Sequence, residues 1–131
     1  PYVVHHGALG SAVTVYLPDN LDREAAANWI AALDGVTEVH TSESAVAKLE
    51  LPGDRIGDLF VLSGRDWVIG RTPEHHDLGK LEGTLRSHGG RYAEMVPFLI
   101  SEPLNAKYTA LAKGDPRNFD IFDFVCNGTQ S

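Results

Sequence analysis

Stretches with strand and helix periodicity alternate through the first half of the chain, and this alternation is the strongest constraint on its fold. Strand-like runs at 11–17, 36–40 and 56–62 are separated by a helical pattern at 21–33 and a shorter one that begins at Ser42. Strands and helices that alternate at this spacing form a small sheet with helices on one face. The sequence therefore predicts an α/β fold, with a compact α/β layer in this part of the chain.

Capping residues and apolar stripes define the predicted helices of this layer. Asn20 is the expected N-cap of the first helix and Ser42 that of the second. The strand at 36–40 alternates irregularly, so its register is open. The first helix has apolar side chains every four positions, which predicts a core-facing stripe of Leu21, Ala25, Trp29 and Leu33 with Ile30 beside it.

The second half of the chain has weaker patterns. Trp67–Ile69 is a predicted hairpin partner of the strand before it, and 71–90 is a predicted long polar loop. A strand is predicted at 96–100, where Pro97 favours an edge position. Two helices are predicted, over 105–112 and over 118–126. Large aromatic side chains supply much of the buried area in a small domain, which predicts four core residues, Trp29, Phe119, Phe122 and Phe124. Cys126 is also expected in the core.

Composition excludes several classes of function. A chain of 131 residues has the size of one domain, and its net charge of −7 disfavours binding to nucleic acid or to an anionic membrane. The single cysteine rules out an intrachain disulfide, so cytoplasm is the expected location. No apolar run approaches the roughly 20 residues that span a bilayer. The abrupt strand-like start after Pro1 suggests a piece of a longer protein.

His88 stands out because Gly89 and Gly90 follow it. Glycine adds no Cβ, so the backbone of such a loop can come close to a ligand or a metal ion. A structural zinc site takes four ligands, and a catalytic one takes three plus water. His88 is therefore either a structural histidine or one ligand whose partners lie elsewhere.

Other candidate residues give weaker signals. The adjacent residues of His5-His6 point to opposite faces if they lie in a strand, which hinders chelation of one ion, and His75-His76-Asp77 has a similar difficulty in a loop. Asp54 and Asp58 are expected to be solvated, whereas Trp67 and Tyr92 are candidates for the mouth of a pocket. No glycine-rich phosphate loop and no GxSxG motif is present, so a nucleotide fold and a serine hydrolase are unsupported.

Several motifs in order along the chain resemble one family. They are His5-His6-Gly7-Ala8-Leu9-Gly10-Ser11, Leu51-Pro52-Gly53-Asp54-Arg55-Ile56-Gly57-Asp58, His76-Asp77-Leu78, Leu85-Arg86-Ser87-His88-Gly89-Gly90 and Arg117-Asn118-Phe119-Asp120-Ile121-Phe122-Asp123. Together they resemble the C-terminal part of the phosphonoacetate hydrolases, a family of two-zinc enzymes in the alkaline phosphatase superfamily. Thr84 departs from the family pattern, in which proline is frequent.

The resemblance implies a function and a site. It implies hydrolysis of phosphonoacetate, a small anionic phosphonate, to acetate and phosphate by a threonine nucleophile between two zinc ions. The histidine of the family's Arg-Ser-His-Gly-Gly motif binds one zinc, and its match here is His88. The nucleophile, the other ligands and the lysines that hold the substrate carboxylate would lie upstream of this chain, so no catalytic residue is assigned and the chain alone is expected to be inactive.

The resemblance also implies an organisation. Residues 1–84 would form a cap-like α/β segment, and residues 85–131 the C-terminal part of an alkaline-phosphatase-like core. A homodimer is one expectation for the full-length protein. Two alternatives stay open, namely a related metal-dependent phosphodiesterase or nucleotide pyrophosphatase, and a non-catalytic α/β binding module.

Overall fold

A computed structural model describes residues 9–76, Gly79 and 87–130 of the chain, and the chain divides into two compact units. The first unit ends at Glu94 and the second begins at Met95. Strands and helices are both present, which confirms the predicted α/β class. The predicted boundary after residue 84 lies outside the described residues, and the assignment of its two sides to a cap and a core stays a prediction. Within the described ranges, no helix has the length and apolar character needed to cross a membrane.

The first unit is built on a three-stranded antiparallel sheet. Its strands are β1 (Ala12–Val15), β2 (Val36–Thr41) and β3 (Leu59–Ser63). Their order is β1-β3-β2, so β3 is the central strand. This position explains why β3 is the most apolar strand, since a central strand is covered on both edges and packs on its faces.

A bulge in β2 accounts for the irregular alternation of its sequence. Val36 pairs with Ser63 and Glu38 pairs with the adjacent Leu62, so Thr37 is an extra residue in the ladder. The Thr37 hydroxyl donates to the carbonyl of Leu62 at 3.2 Å. An extra residue shifts the facing of every side chain before it, which is why the register could not be read from alternation.

Two helices pack against the sheet. They are α1 (Arg23–Ala31), which contacts β2, and α2 (Ser42–Leu49), which contacts β2 and β3. Ala45 of α2 is completely buried. The predicted N-caps were each displaced, because the Asp22 and Thr41 side chains accept the cap hydrogen bonds instead of Asn20 and Ser42.

The predicted core-facing stripe of α1 was wrong. Trp29 is 68% exposed, and Leu21 and Leu33 are also exposed. The half-buried side of α1 holds Ala26 and Ala27 instead, together with Ile30, which the sequence pattern placed beside the stripe. Residues four apart mark a stripe on a helix, but the packing of the helix on its neighbours decides which stripe faces the sheet.

The predicted hairpin between β3 and Trp67–Ile69 does not form. Both edges of β3 are already occupied by β1 and β2, so no ladder position is left for a third neighbour. The chain turns at Gly64, whose carbonyl accepts from the Trp67 amide, and Ile69 pairs with Gly10 in an isolated antiparallel bridge.

The second unit is mainly helical. Helix α3 (Ala106–Leu111) lies within the predicted range 105–112, and the structure shows that Asn105 is its N-cap. A second helical stretch has a 3₁₀ turn at Asn118–Asp120, a short α4 (Ile121–Asp123) and a π-helical end at Phe124–Gly128. The strand predicted at 96–100 is absent from these described residues, where Pro97 lacks the amide that a ladder requires.

Only one of the predicted aromatic core residues of this unit is buried. Phe124 is 3% exposed and meets Phe98 and Tyr108 edge to face, with ring centroids 5.1 and 5.2 Å away. Phe119, Phe122 and Cys126 are exposed, so their predicted core positions were wrong. A single short helical stretch presents one narrow face to α3, and Phe124 occupies it.

Candidate functional site

Backbone hydrogen bonds fix the segment that carries His88 to the start of β1. The Ser11 amide donates to the His88 carbonyl at 2.8 Å, and the Ser87 hydroxyl donates to the Leu9 carbonyl at 2.9 Å. Leu9 and Ser11 flank Gly10, which itself bridges to Ile69. The main chain of His88 is therefore held at a defined place beside the sheet, although it lies in a loop.

The two glycines after His88 are required by the backbone. Gly89 has a φ of +84°, a conformation that residues with a Cβ rarely adopt. A Cβ on Gly90 would lie 2.7 Å from the Ser11 Cβ, which is too close for any side chain. The close backbone approach expected from the His-Gly-Gly pattern is thus present, and the two glycines approach Ser11 and Ala12 at the start of β1.

The imidazole of His88 is exposed. Its Cε1 atom lies near Gly10, where an added Cβ would be 3.4 Å away, so the small residue leaves room for the ring. None of the residues that the structure describes hydrogen-bonds to this ring. An exposed imidazole on a fixed backbone can serve as a ligand for an ion that other groups also bind.

An ion pair anchors the far side of the same loop to β2. Arg91 lies in a 3₁₀ turn, and its guanidinium binds both carboxylate oxygens of Glu38, at 2.8 and 3.0 Å. The hydrogen bonds from Arg91 hold the pKa of Glu38 at about 2, well below its usual value, and hydrogen bonding to Glu38 raises the pKa of Arg91. The loop is consequently held at both edge strands of the sheet, β1 and β2.

This anchor was not predicted from the sequence. Arg91 directly follows the Gly-Gly pair, and Glu38 and His40 are separated by one residue in a predicted strand, which places them on one face. Two polar residues on one face of a strand in a small α/β layer are a signal for a polar contact. That signal was available, but it did not identify the partner.

The two neighbouring histidines of the long loop do different things. Thr72 hydrogen-bonds to Nδ1 of His75 at 2.6 Å. His76 is 6% exposed, and its Nε2 accepts from the Arg71 amide at 3.0 Å. Its Nδ1 has no partner among the residues that the structure describes. His75 and His76 therefore have different hydrogen-bond partners and do not point their ring nitrogens at a common ion. Asp77, His5 and His6 lie outside the described residues.

The predicted solvated aspartates differ from each other. Asp54 is exposed and forms a surface ion pair with Arg55 at 3.6 Å. Asp58 is half-buried, which corrects its prediction, because its carboxylate accepts from the Leu17 amide at 2.8 Å and from Arg23 at 3.0 Å. Asp58 thereby connects the segment after β1 to α1, and its role is structural.

The two aromatic candidates for a pocket mouth are both exposed in the first unit. Trp67 lies against Gly35, where an added Cβ would be 2.3 Å from the indole ring. The guanidinium of Arg65 lies 4.8 Å from the centre of the Tyr92 ring, in a cation–π contact. The second unit has a separate, largely apolar cavity of about 450 Å³ that none of the sequence-predicted site residues lines.

The described residues do not form a complete metal site by themselves. Across 9–76 and 87–130, no three His, Cys, Asp or Glu side chains come together as a metal-binding group. Zinc takes three or four protein ligands, with imidazole nitrogen among the most frequent. His88 has the chemistry and the exposure of one such ligand, and the other ligands would come from other residues.

Comparison with known proteins identifies similar structures. The chain matches crystal structures of phosphonoacetate hydrolase from Sinorhizobium meliloti 1021 in complex with phosphonoformate and in complex with phosphonoacetate, at 43% sequence identity and TM-scores of 0.68 and 0.67. Each match covers 95% of this chain and 29% of the hydrolase chain. No protein-family model matches the chain. The resemblance inferred from the motifs is confirmed, and this chain is similar along nearly its whole length to part of an enzyme.

Proposed function

We propose that this chain forms part of a zinc-dependent phosphonoacetate hydrolase, in which His88 is one of the zinc ligands. The observation that carries the proposal is the 43% identity over 95% of the chain to a phosphonoacetate hydrolase that binds phosphonoacetate and phosphonoformate. The substrate would be phosphonoacetate and the products acetate and phosphate. Cytoplasm is the compartment that we propose for this reaction.

The residues of this chain would contribute positioning rather than bond cleavage. His88 would bind the metal as a neutral imidazole, because a protonated ring nitrogen cannot be a ligand. Its main-chain bond with Ser11 limits how far the ring can move, which favours a fixed ligand geometry. A bound zinc ion would supply a Lewis acid that holds phosphonate oxygens and stabilises the negative charge that develops on them.

The metal would also explain how an acidic chain can handle an anionic substrate. The chain has 18 acidic and 11 basic residues, so its overall field repels a phosphonate. A divalent cation provides the local positive charge that overcomes this repulsion. This argument supports a metal site in the complete enzyme and leaves its other ligands to residues outside the described part of this chain.

The test is a chimeric enzyme. The stretch of the Sinorhizobium meliloti hydrolase that matches this chain is replaced by the 131 residues, and phosphate release from phosphonoacetate is measured together with zinc content. We expect turnover by the chimera, and loss of more than about 100-fold with His88→Ala, because changes to groups that merely support a ligand cost about 10–100-fold. The zinc content should fall in parallel.

The control is His75→Ala, which removes a half-buried histidine that hydrogen-bonds to Thr72. It should retain zinc and activity within about twofold. A folded, active chimera whose His88→Ala variant keeps both zinc and turnover would contradict the proposal. The isolated chain with added zinc should release no phosphate from phosphonoacetate, and phosphodiester hydrolysis by the chimera instead of phosphonoacetate cleavage would favour the alternative enzyme class.

A further inference from the structure

The loop that carries His88 crosses one face of the sheet. Ala12 of β1 and Glu38 of β2 are both cross-strand neighbours of Leu62 in the central strand, so the three side chains form a row on one face. A Cβ on Gly89 would lie 3.3 Å from the Ala12 Cβ, and Arg91 binds Glu38. Between these two residues the loop therefore passes from one edge strand to the other.

The contact at the β2 end fixes orientation as well as distance. The Arg91 Nε donates to Oε1 of Glu38 at 2.8 Å, and Nη2 donates to Oε2 at 3.0 Å. Two parallel hydrogen bonds between planar groups restrict rotation in a way that one bond does not. The remaining terminal nitrogen, Nη1, donates to Glu94 at 2.8 Å, a contact at a more exposed side chain.

The Glu38 carboxylate is also hydrogen-bonded to His40, on the same strand. The Nε2–H of His40 donates to Oε2 of Glu38 at 2.7 Å, and Nδ1 of the same ring is hydrogen-bonded to the Ser44 hydroxyl at 3.1 Å. His40 is buried, and Ser44 lies in the first turn of α2. A continuous set of hydrogen bonds therefore runs from the first turn of α2, along one face of β2, to the loop.

We propose that Arg91 and Glu38 are positioning residues for the metal ligand, acting through the loop that holds His88. This inference rests on the proposed function. The loop includes two consecutive glycines, so its conformation has little intrinsic preference. On its β1 side it is held by the Ser11 and Ser87 bonds, and on its β2 side by the bidentate ion pair. Without the ion pair, only one side of the glycine turn would remain fixed.

The expected consequence is weaker zinc binding and slower turnover with little change in substrate binding. A ligand that samples several positions binds its metal less tightly, and changes to groups that orient ligands cost about 10–100-fold in affinity. In the fraction of the enzyme that holds zinc the substrate would bind as before, so KM should stay within about twofold while kcat falls. A role limited to folding would lower the melting temperature. In the folded fraction it would leave zinc affinity, kcat and KM at the values of the unmodified chimera.

The experiment uses the chimera with Arg91→Lys and Glu38→Gln. Lysine keeps the charge but cannot form two parallel bonds, and glutamine keeps the shape but removes the charge. The measurements are zinc affinity by chelator competition, kcat and KM for phosphonoacetate, and the melting temperature of the metal-free protein. We expect zinc affinity to fall about 10–100-fold in both variants, with kcat falling in parallel.

Glu94→Gln is the matched control, since it removes the exposed partner of the same guanidinium and should change zinc affinity by less than about twofold. Unchanged zinc affinity in folded Arg91→Lys and Glu38→Gln variants would overturn the inference, and so would loss of near-ultraviolet dichroism in both, which would show a folding role. The proposed function is judged separately by His88→Ala. If that variant loses zinc while the two others do not, only the positioning role fails.

Discussion

The contacts within the first unit join residues that are farther apart in sequence than the contacts within the second unit do. In the first unit, Ser87 binds Leu9 across 78 residues and Arg91 binds Glu38 across 53. In the second unit, Tyr108 binds Asp123 across 15 residues and Asn105 binds Asn127 across 22. The first unit therefore depends on contacts that form only when the sheet is assembled, whereas the second depends on a local packing of helices.

The chemistry of the contacts differs as well. The face of the sheet beneath the His88 loop contains a charged and hydrogen-bonded network around Glu38. The second unit packs Phe98, Tyr108 and Phe124 edge to face, and its Tyr108 hydroxyl donates to Asp123 at 3.0 Å. We expect aromatic packing to respond to truncation of side chains and the polar network to respond to pH. This difference can be tested unit by unit.

The largest effect is expected in the aromatic packing of the second unit. Phe124→Ala removes a ring that is 3% exposed and contacts two other rings. The expected loss in the free energy of unfolding is about 3–5 kcal/mol, because the ring loses its burial and leaves a cavity. Hydrogen exchange of peptides from residues 95–130 measures this loss within the unit.

The control is Phe122→Ala, two positions earlier in the same helical stretch. Phe122 is 75% exposed, so its removal should change the free energy of unfolding by less than about 0.5 kcal/mol. Equal protection in the two variants would mean that the edge-to-face cluster does not stabilise this unit. The pair thus separates a buried ring from an exposed ring of the same chemistry.

A smaller effect is expected where the glycine turn meets β1. Gly90→Ala places a Cβ 2.7 Å from the Ser11 Cβ, so the loop or the strand must move. We expect a loss of about 1–3 kcal/mol in the free energy of unfolding of the first unit, as for other overpacked sites. Urea unfolding followed by tryptophan emission reports on this unit, because Trp29 and Trp67 are the two tryptophans of the chain.

Gly64→Ala is the comparison for this substitution. A Cβ on Gly64 would lie 3.4 Å from Thr37 Cγ2, an ordinary contact distance, so the effect should stay within about 0.5 kcal/mol. A Gly90→Ala variant as stable as Gly64→Ala would show that the loop is not held against β1. The long-range character of the first unit would then be in doubt.

Local signals were sufficient for much of the fold. Side-chain alternation predicted β1, a continuous apolar run predicted β3, and the helix predicted over 105–112 contains α3. These elements depend on neighbours in sequence, which periodicity describes. The bulge at Thr37 made the alternation of β2 irregular, and the sequence alone did not show that a bulge was the cause.

Tertiary contacts decided what the patterns could not. Trp29 and Phe122 satisfy the criteria for core residues, yet both are exposed, because the face that a helix buries depends on its neighbours. Ile69 pairs with Gly10 and not with β3 because the edges of β3 were already occupied. Neither outcome can be read from the residues within a few positions.

In the candidate site, too, local sequence identified one feature and tertiary contacts determined the other. His88 was identified by its glycine neighbours and by the family resemblance, and its role as a zinc ligand stays a prediction. The Arg91 and Glu38 pair joins residues 53 positions apart, and a bulge changes the facing of the strand between its ends. No spacing rule connects such residues, so only the structure could bring them together.

The smallest effect expected is a pH dependence specific to the first unit. The pKa of Glu38 is about 2 in the folded chain against an ordinary 4.5, chiefly because Arg91 hydrogen-bonds to its ionised form. Between these two values the unfolded chain binds more protons, so the stabilisation is complete above about pH 4.5 and is lost as the pH falls toward 2. Because the Arg91 side chain is 37% exposed, we expect a screened contribution of about 1 kcal/mol. Tryptophan-detected urea unfolding at about pH 6 and about pH 3 should show this loss in the unmodified chain and in Glu94→Gln, and in Glu38→Gln a total loss that is smaller by the Glu38 contribution. Equal losses in all three proteins would show that the Arg91 pair does not stabilise the first unit.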